Sequence, residues 1–167
     1  MKSYLERIDD LRGQIRLLLE SIPSSDLPDA LNWRPIETSE DDHATNSLAV
    51  MAMHAAGAEH FWIGEVIGEL SPTRERDAEF QTKTETVDDL FHRLDAVAME
   101  TRAVMEGISP TQLDETRKVR GKSVPVRWSI LHVIDHTALH LGHMQLTYQL
   151  WMGGKAGKSL RWFERLK

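Results

Sequence analysis

Four histidines, His132, His136, His140 and His143, fall within the stretch from Trp128 to Trp151, at steps of four, four and three residues. On an α-helix each residue advances about 100° around the axis, so these rings lie within roughly 80° of one another and form a stripe. A neutral imidazole buried without a partner leaves a ring N–H and a lone pair unsatisfied, and four on one stripe would repeat that cost. A divalent cation removes it, because Zn²⁺ and its neighbours bind neutral imidazole nitrogen and residues four apart on a helix point the same way. The competing arrangement is hydrogen bonding among the histidines, to carboxylates and to water; an HxxxH pair with two further histidines on its stripe favours metal. Spacing leaves the pair open, since His132 with His136, or His140 with His143, would serve as well as His136 with His140.

The elements that must carry such a site follow from the apolar pattern. Ile130, Leu131, Val133, Ile134, Leu139, Leu141, Met144, Leu146, Leu150 and Trp151 interleave with the histidines, more than a helix with one freely solvated side needs. The histidine face is therefore expected to look into an interior or a cleft. Tyr4 to Ile22 places Ile8, Leu11, Ile15, Leu18, Leu19 and Ile22 at steps of three and four among charged residues, an amphipathic helix ended by Pro23 and Pro28. Leu31 to Pro35 reads as a connection with Trp33 as an aromatic anchor, followed by an acidic loop through Glu37, Glu40, Asp41 and Asp42. From about Ala44 to Leu70 runs an alanine-rich helix almost without charge over its first half, which should be deeply buried. His54 sits in that apolar run and is the natural third ligand beside a helix that already offers a pair; Trp62 falls near the same face.

Ser71-Pro72 breaks this helix, and Thr73 to Thr86 is polar enough for a surface loop. A third helix, about Val87 to Ile108, has one apolar face, with Asp88 and Asp89 at the positive end of its dipole and His92 facing solvent. Thr111 to Arg127 is the longest connection, with room for a short hairpin at about 117–126. Gly153, Gly154 and Gly157 mark the end of the histidine helix, and Leu160 to Leu166 has the pattern of a short helical tail. Four long helical patterns without a convincing strand pair give an all-α four-helix bundle, in which facing helices build a site from inward side chains.

Composition narrows the chemistry. At 167 residues a single domain spanning 1–167 is expected, and the absence of cysteine removes disulfides, thiolate zinc sites and protein thiol nucleophiles. With 26 acidic against 20 basic residues the net charge is −6, which argues against nucleic acid as the main ligand despite the basic tail of Lys155, Lys158, Arg161, Arg165 and Lys167. The N-terminus lacks a signal-peptide pattern and no apolar run reaches a membrane span, so a cytoplasmic protein with no membrane contact is expected.

Leu31-Asn32-Trp33-Arg34-Pro35, then Met53-His54-Ala55-Ala56-Gly57-Ala58-Glu59 with Trp62, then Trp128-Ser129-Ile130-Leu131-His132-Val133-Ile134-Asp135-His136 and His140-Leu141-Gly142-His143 together resemble the DinB superfamily of damage-inducible-type proteins. The resemblance runs in order and spacing from about residue 30 to 150. It implies a DinB-type bundle with a long third-to-fourth helix connection, and a metal held by one histidine on the second helix and an HxxxH pair on the fourth. Those positions are His54, His136 and His140 here. Three protein ligands leave a coordination position open, the pattern of a catalytic metal. Zn²⁺ or Ni²⁺ suits an all-imidazole set first, with Fe²⁺, Mn²⁺ or Cu²⁺ also compatible.

The resemblance implies either a metal-dependent hydrolase or a transferase that uses a low-molecular-weight thiol such as bacillithiol or mycothiol. Hydrolysis would use water acidified by the cation; transfer would use the small thiol as nucleophile, which a chain without cysteine does not obstruct. No carboxylate sits on the histidine stripe: Glu59 and Asp135 are turned roughly 100° or more from the nearest ligand. His143, one turn beyond His140, is the better candidate for the catalytic proton-transfer or substrate-binding group. The weak case for a base tilts the expectation toward a small-molecule thiol partner. A non-catalytic metal or small-ligand binding bundle, with room for a homodimer through an apolar helix face, is the alternative from a different class.

Overall fold

A computed structural model of the chain describes residues 1–36 and 45–155. The elements are α1 (Lys2–Glu20), a one-turn α2 (Asp29–Asn32), α3 (Leu48–Glu59) continued by a π-helical stretch (His60–Ile67), a one-turn α4 (Arg76–Glu79), α5 (Asp88–Glu106), a hairpin of β1 (Thr116–Val119) and β2 (Lys122–Pro125), and α6 (Val126–Trp151). Four long helices, α1, α3 with its π extension, α5 and α6, form the bundle: α1 packs on α6 and α5, and α3 packs on α6 and α5. This is the all-α bundle that the periodicity implied. The acidic loop and the C-terminal tail of the sequence reading lie outside the described residues.

Each long helix contributes the stripe its sequence encodes. Ile8, Leu11, Ile15 and Leu19 of α1 are at most 1% exposed, as are Leu48, Ala49, Val50 and Ala52 of α3. Burying each large aliphatic side chain contributes about 1.5–3 kcal/mol. Ser47 caps α3, its hydroxyl accepting from the Val50 amide at 3.3 Å. Trp33 meets Trp151 edge to face with centroids 5.8 Å apart, so the aromatic anchor fastens the α2 segment to the end of α6.

The structure adds to the sequence reading within the connections, where the one-turn helices α2 and α4 form, and along two of the long helices. The hairpin left open at 117–126 forms, pairing Thr116 with Pro125 and Val119 with Lys122 across a turn at Arg120 and Gly121 with positive φ. The second long helix changes to i→i+5 bonding at His60. The leucines of α6 do not all pack inward: Leu131, Leu139, Leu146 and Leu150 are exposed, while Ile130, Val133, Leu141 and Met144 fill the core.

Buried polar groups join α1, α3 and α5. Arg12 donates to Glu59 Oε1 at 3.0 Å and also pairs with Asp9, and the Thr101 hydroxyl donates to Glu59 Oε1 at 2.5 Å. Burial pushes the Glu59 carboxyl up to about 7, against the opposing pull of Arg12 and Thr101. A carboxyl raised on folding holds more protons in the native than in the unfolded state, so its contribution is present at low pH and lost as pH rises from about 4.5 through about 7. Urea unfolding of the wild type and Glu59→Gln should therefore show the wild type losing about 3 kcal/mol relative to the variant between pH 4.5 and pH 8. A pH-independent difference would contradict this.

Candidate metal centre

His54 on α3 and His136 and His140 on α6 converge, each offering a nitrogen within 4.8 Å of those of the other two. Their ring centroids are 5.0 Å apart from His54 to either partner and 4.4 Å between His136 and His140. His54 is buried, while the pair is partly exposed at the bundle face. Helical spacing explains the pair, and the packing of α3 on α6 explains why the third ring meets it.

Nε2 of His136 and Nε2 of His140 face each other at 3.2 Å, and among the described residues the buried Nδ1 atoms of both rings have no partner. Those Nδ1 atoms stay unpaired whether a proton or a cation lies between the Nε2 atoms, so spacing carries the case. Zn–N bonds of about 2.05 Å arranged tetrahedrally put nitrogens about 3.3 Å apart, and a third nitrogen, from His54, lies within 4.8 Å of both. Burial first, then the neighbouring rings, pushes His136 down to about 3 and His140 down to about 4, so both are neutral donors at pH 7.

Behind His54 stands a group that the sequence reading placed on a surface loop. Glu79, 8% exposed, receives a hydrogen bond from His54 Nδ1 at 2.8 Å. Arg74 holds the same carboxylate with two bonds, Nε to Oε1 at 2.7 Å and Nη2 to Oε2 at 2.9 Å. Burial pushes the Glu79 carboxyl up, but the bonds from Arg74 and His54 outweigh it and its pKa is lowered. An ionised carboxylate only accepts, so His54 carries its proton on Nδ1 and turns Nε2 toward His136 and His140. The sequence did hold one sign of this: Gly57, one turn after His54, is where a Cβ would come within 1.9 Å of Glu79 Oε1.

The remaining candidates separate. His143 is exposed, its ring 5.8 Å from that of His140. His132 extends the stripe the other way, 5.5 Å from His136, stacked on Trp128 at 4.8 Å and 6° and edge-on to Trp62. Burial lowers its pKa, with Asp135 acting against this. Neither carboxylate weighed as a base is poised: Glu59 is engaged by Arg12 and Thr101, and Asp135 is exposed. His92 is exposed, as expected. His60, which carried no expectation, is buried between Glu100 at 2.8 Å and Thr73 at 2.9 Å. A cavity of about 360 Å³ lies on the Glu79 side of His54, lined by Met53, Gly57, Arg74, Glu79 and Arg93 among others.

The profile of the mycothiol-S-transferase family matches residues 24–151, most of the chain and all of this site. The chain belongs to that family. Mycothiol-S-transferase relatives are DinB-like, and the solved structures similar to this chain agree on the fold. A conserved protein from Enterococcus faecalis superposes with a TM-score of 0.68 at 15% identity, covering 91% of this chain and 96% of its own. A DinB-like protein from Bacillus cereus gives 0.67 at 14% identity and one from Bacillus subtilis 0.65 at 20%, each covering 96% of this chain and 97% of its own. No curated protein matches the sequence. Among the described residues no helix is long and apolar enough to cross a membrane.

Proposed function

We propose that the protein is a metal-dependent S-transferase that joins a low-molecular-weight thiol to a small electrophile, with His54, His136 and His140 holding the metal. The convergence of three imidazole nitrogens from two helices at chelating distance carries this reading, in a chain of the mycothiol-S-transferase family. A divalent cation bound there supplies the positive charge that keeps a small thiol ionised at neutral pH.

The chain's own residues supply the rest. Glu79 fixes the tautomer of His54, and three protein ligands leave room for the thiol. Trp62, Trp128 and His132 form an aromatic wall along the stripe, suited to the apolar part of an electrophile. The sulfur forms a bond to the electrophilic carbon as the bond to the leaving group breaks, and the proton lost by the thiol passes to His143 or to solvent. Hydrolysis is less favoured because Glu79, Glu59 and Asp135 are not placed to take a proton from water beside the trio.

The test is conjugation of mycothiol, and separately bacillithiol, to a fluorogenic haloalkyl electrophile by Zn²⁺-loaded protein, alongside ester and amide hydrolysis. Thiol-dependent product above the uncatalysed rate, lost on chelation, is the expected result. His143→Gln should retain metal and lower the conjugation rate by about 100-fold or more. Ester or amide turnover without any thiol dependence would replace this reading with hydrolysis, and inactivity in every assay would leave a binding bundle.

A further inference from the structure

We propose that Glu79 is the positioning residue of the metal centre and that, through it, metal occupancy tightens the segment from Ser71 to Thr86 onto the bundle. The inference rests on the proposed metal site and adds to it a specific coupling.

Among the described residues, His54 alone of the three rings has an acceptor on its far nitrogen; the Nδ1 atoms of His136 and His140 have none. That acceptor belongs to a different stretch of chain, 25 residues on. The stretch is built to present it. The Thr73 and Arg74 amides both donate to Glu65 Oε1, at 2.6 and 2.8 Å, and the Thr73 hydroxyl meets His60 Nε2 at 2.9 Å. Arg74, fixed at its backbone, then grips Glu79 with two bonds and lies 5.7 Å from the centre of the Phe61 ring. Phe80 packs its ring 4.8 Å from that of His54. Gly57 leaves out a Cβ that would lie 1.9 Å from Glu79 Oε1. A surface ion pair needs none of this preparation.

A cation on Nε2 withdraws electrons from the imidazole and makes Nδ1–H a stronger donor, so a charged acceptor there is worth more when the site is filled. Linkage makes the effect reciprocal: whatever factor docked Glu79 adds to metal affinity, metal adds to the docking of the segment that carries Glu79.

The experiment measures Zn²⁺ affinity by competition with a chromophoric chelator, and amide hydrogen exchange across 71–86 with and without Zn²⁺, on the full chain. Glu79→Ala should bind Zn²⁺ roughly 10- to 100-fold more weakly, and Glu79→Gln, which keeps a neutral acceptor, should fall between it and the wild type. In the wild type Zn²⁺ should slow exchange at Thr73 and Arg74 by a similar factor of about 10 to 100, and in Glu79→Ala by little. Gly57→Ala, which displaces the carboxylate, should weaken Zn²⁺ in the same direction. Wild-type affinity in both Glu79→Gln and Glu79→Ala, or Zn²⁺ protection of the segment undiminished in Glu79→Ala, would overturn the inference while leaving the three-histidine site standing. Failure of the wild type to bind Zn²⁺ would overturn both.

Discussion

His140→Ala is expected to keep the bundle and to lose Zn²⁺ affinity. In the proposed site its ring contributes one of three donors, and zinc sites with four ligands bind with about 10–16 kcal/mol, on the order of 3 kcal/mol per ligand, so affinity should fall by at least roughly 100-fold. The fold should tolerate the change. His140 is partly exposed and its buried Nδ1 has no partner among the described residues, so deleting the ring removes an unpaired polar atom along with one hydrogen bond to His136 and some packing. His54→Ala is a harsher test of the same ligand set, because it also strips Glu79 of a buried partner. Zinc titration of His140→Ala with circular dichroism of the same sample is the check: native helicity with unchanged Zn²⁺ affinity would remove His140 from the site, and with it the argument for three ligands.

The second large effect is acid instability of the metal-stripped protein. His136 is held down to about 3 and His140 to about 4, both by burial first and by neighbouring rings second. A histidine lowered on folding binds fewer protons in the native than in the unfolded state between its folded value and about 6.5. Its contribution is therefore complete above about 6.5 and is lost as pH falls toward 4. Each such group changes stability by up to about 1.4 kcal/mol per pH unit, so the pair should cost about 3–5 kcal/mol between pH 6.5 and pH 4.5 after allowing for solvent at the partly exposed face. That is a large part of the 5–15 kcal/mol typical of a domain. Glu59 opposes the trend over part of this range, which makes a comparison with a double His136→Asn, His140→Gln variant necessary. The urea midpoint of chelator-treated wild type should fall relative to that of the chelator-treated variant as the pH is lowered, and parallel profiles would refute the account of the pair.

The legible part of the molecule was the part written as periodicity. Ile8, Leu11, Ile15 and Leu19 announce one buried face, and the alanine run around His54 announces a helix buried nearly all round. The histidine spacing implied a chelating stripe, and the structure brings His54 to it. What the sequence did not disclose depended on contacts between distant segments. Glu79 lies among charged residues that read as a loop, and only the fold shows that Arg74 and His54 draw it inward. Glu59 was weighed as a base because burial against Arg12 and Thr101, from α1 and α5, leaves no local trace. The π-helical stretch at His60 adds less than a residue per turn, too small a change for apolar spacing to reveal over eight residues. The exposed Leu131, Leu139, Leu146 and Leu150 show the opposite error, since counting apolar residues on α6 implied burial on more sides than the bundle covers.

The most direct measurement is an anomalous-difference map at the zinc absorption edge, from crystals of tag-free protein grown with Zn²⁺. One dominant peak is expected, bound to one nitrogen each of His54, His136 and His140 at about 2.0–2.1 Å, with a fourth position filled from outside the chain. A peak elsewhere, or no density among these rings when Zn²⁺ is present, would contradict it.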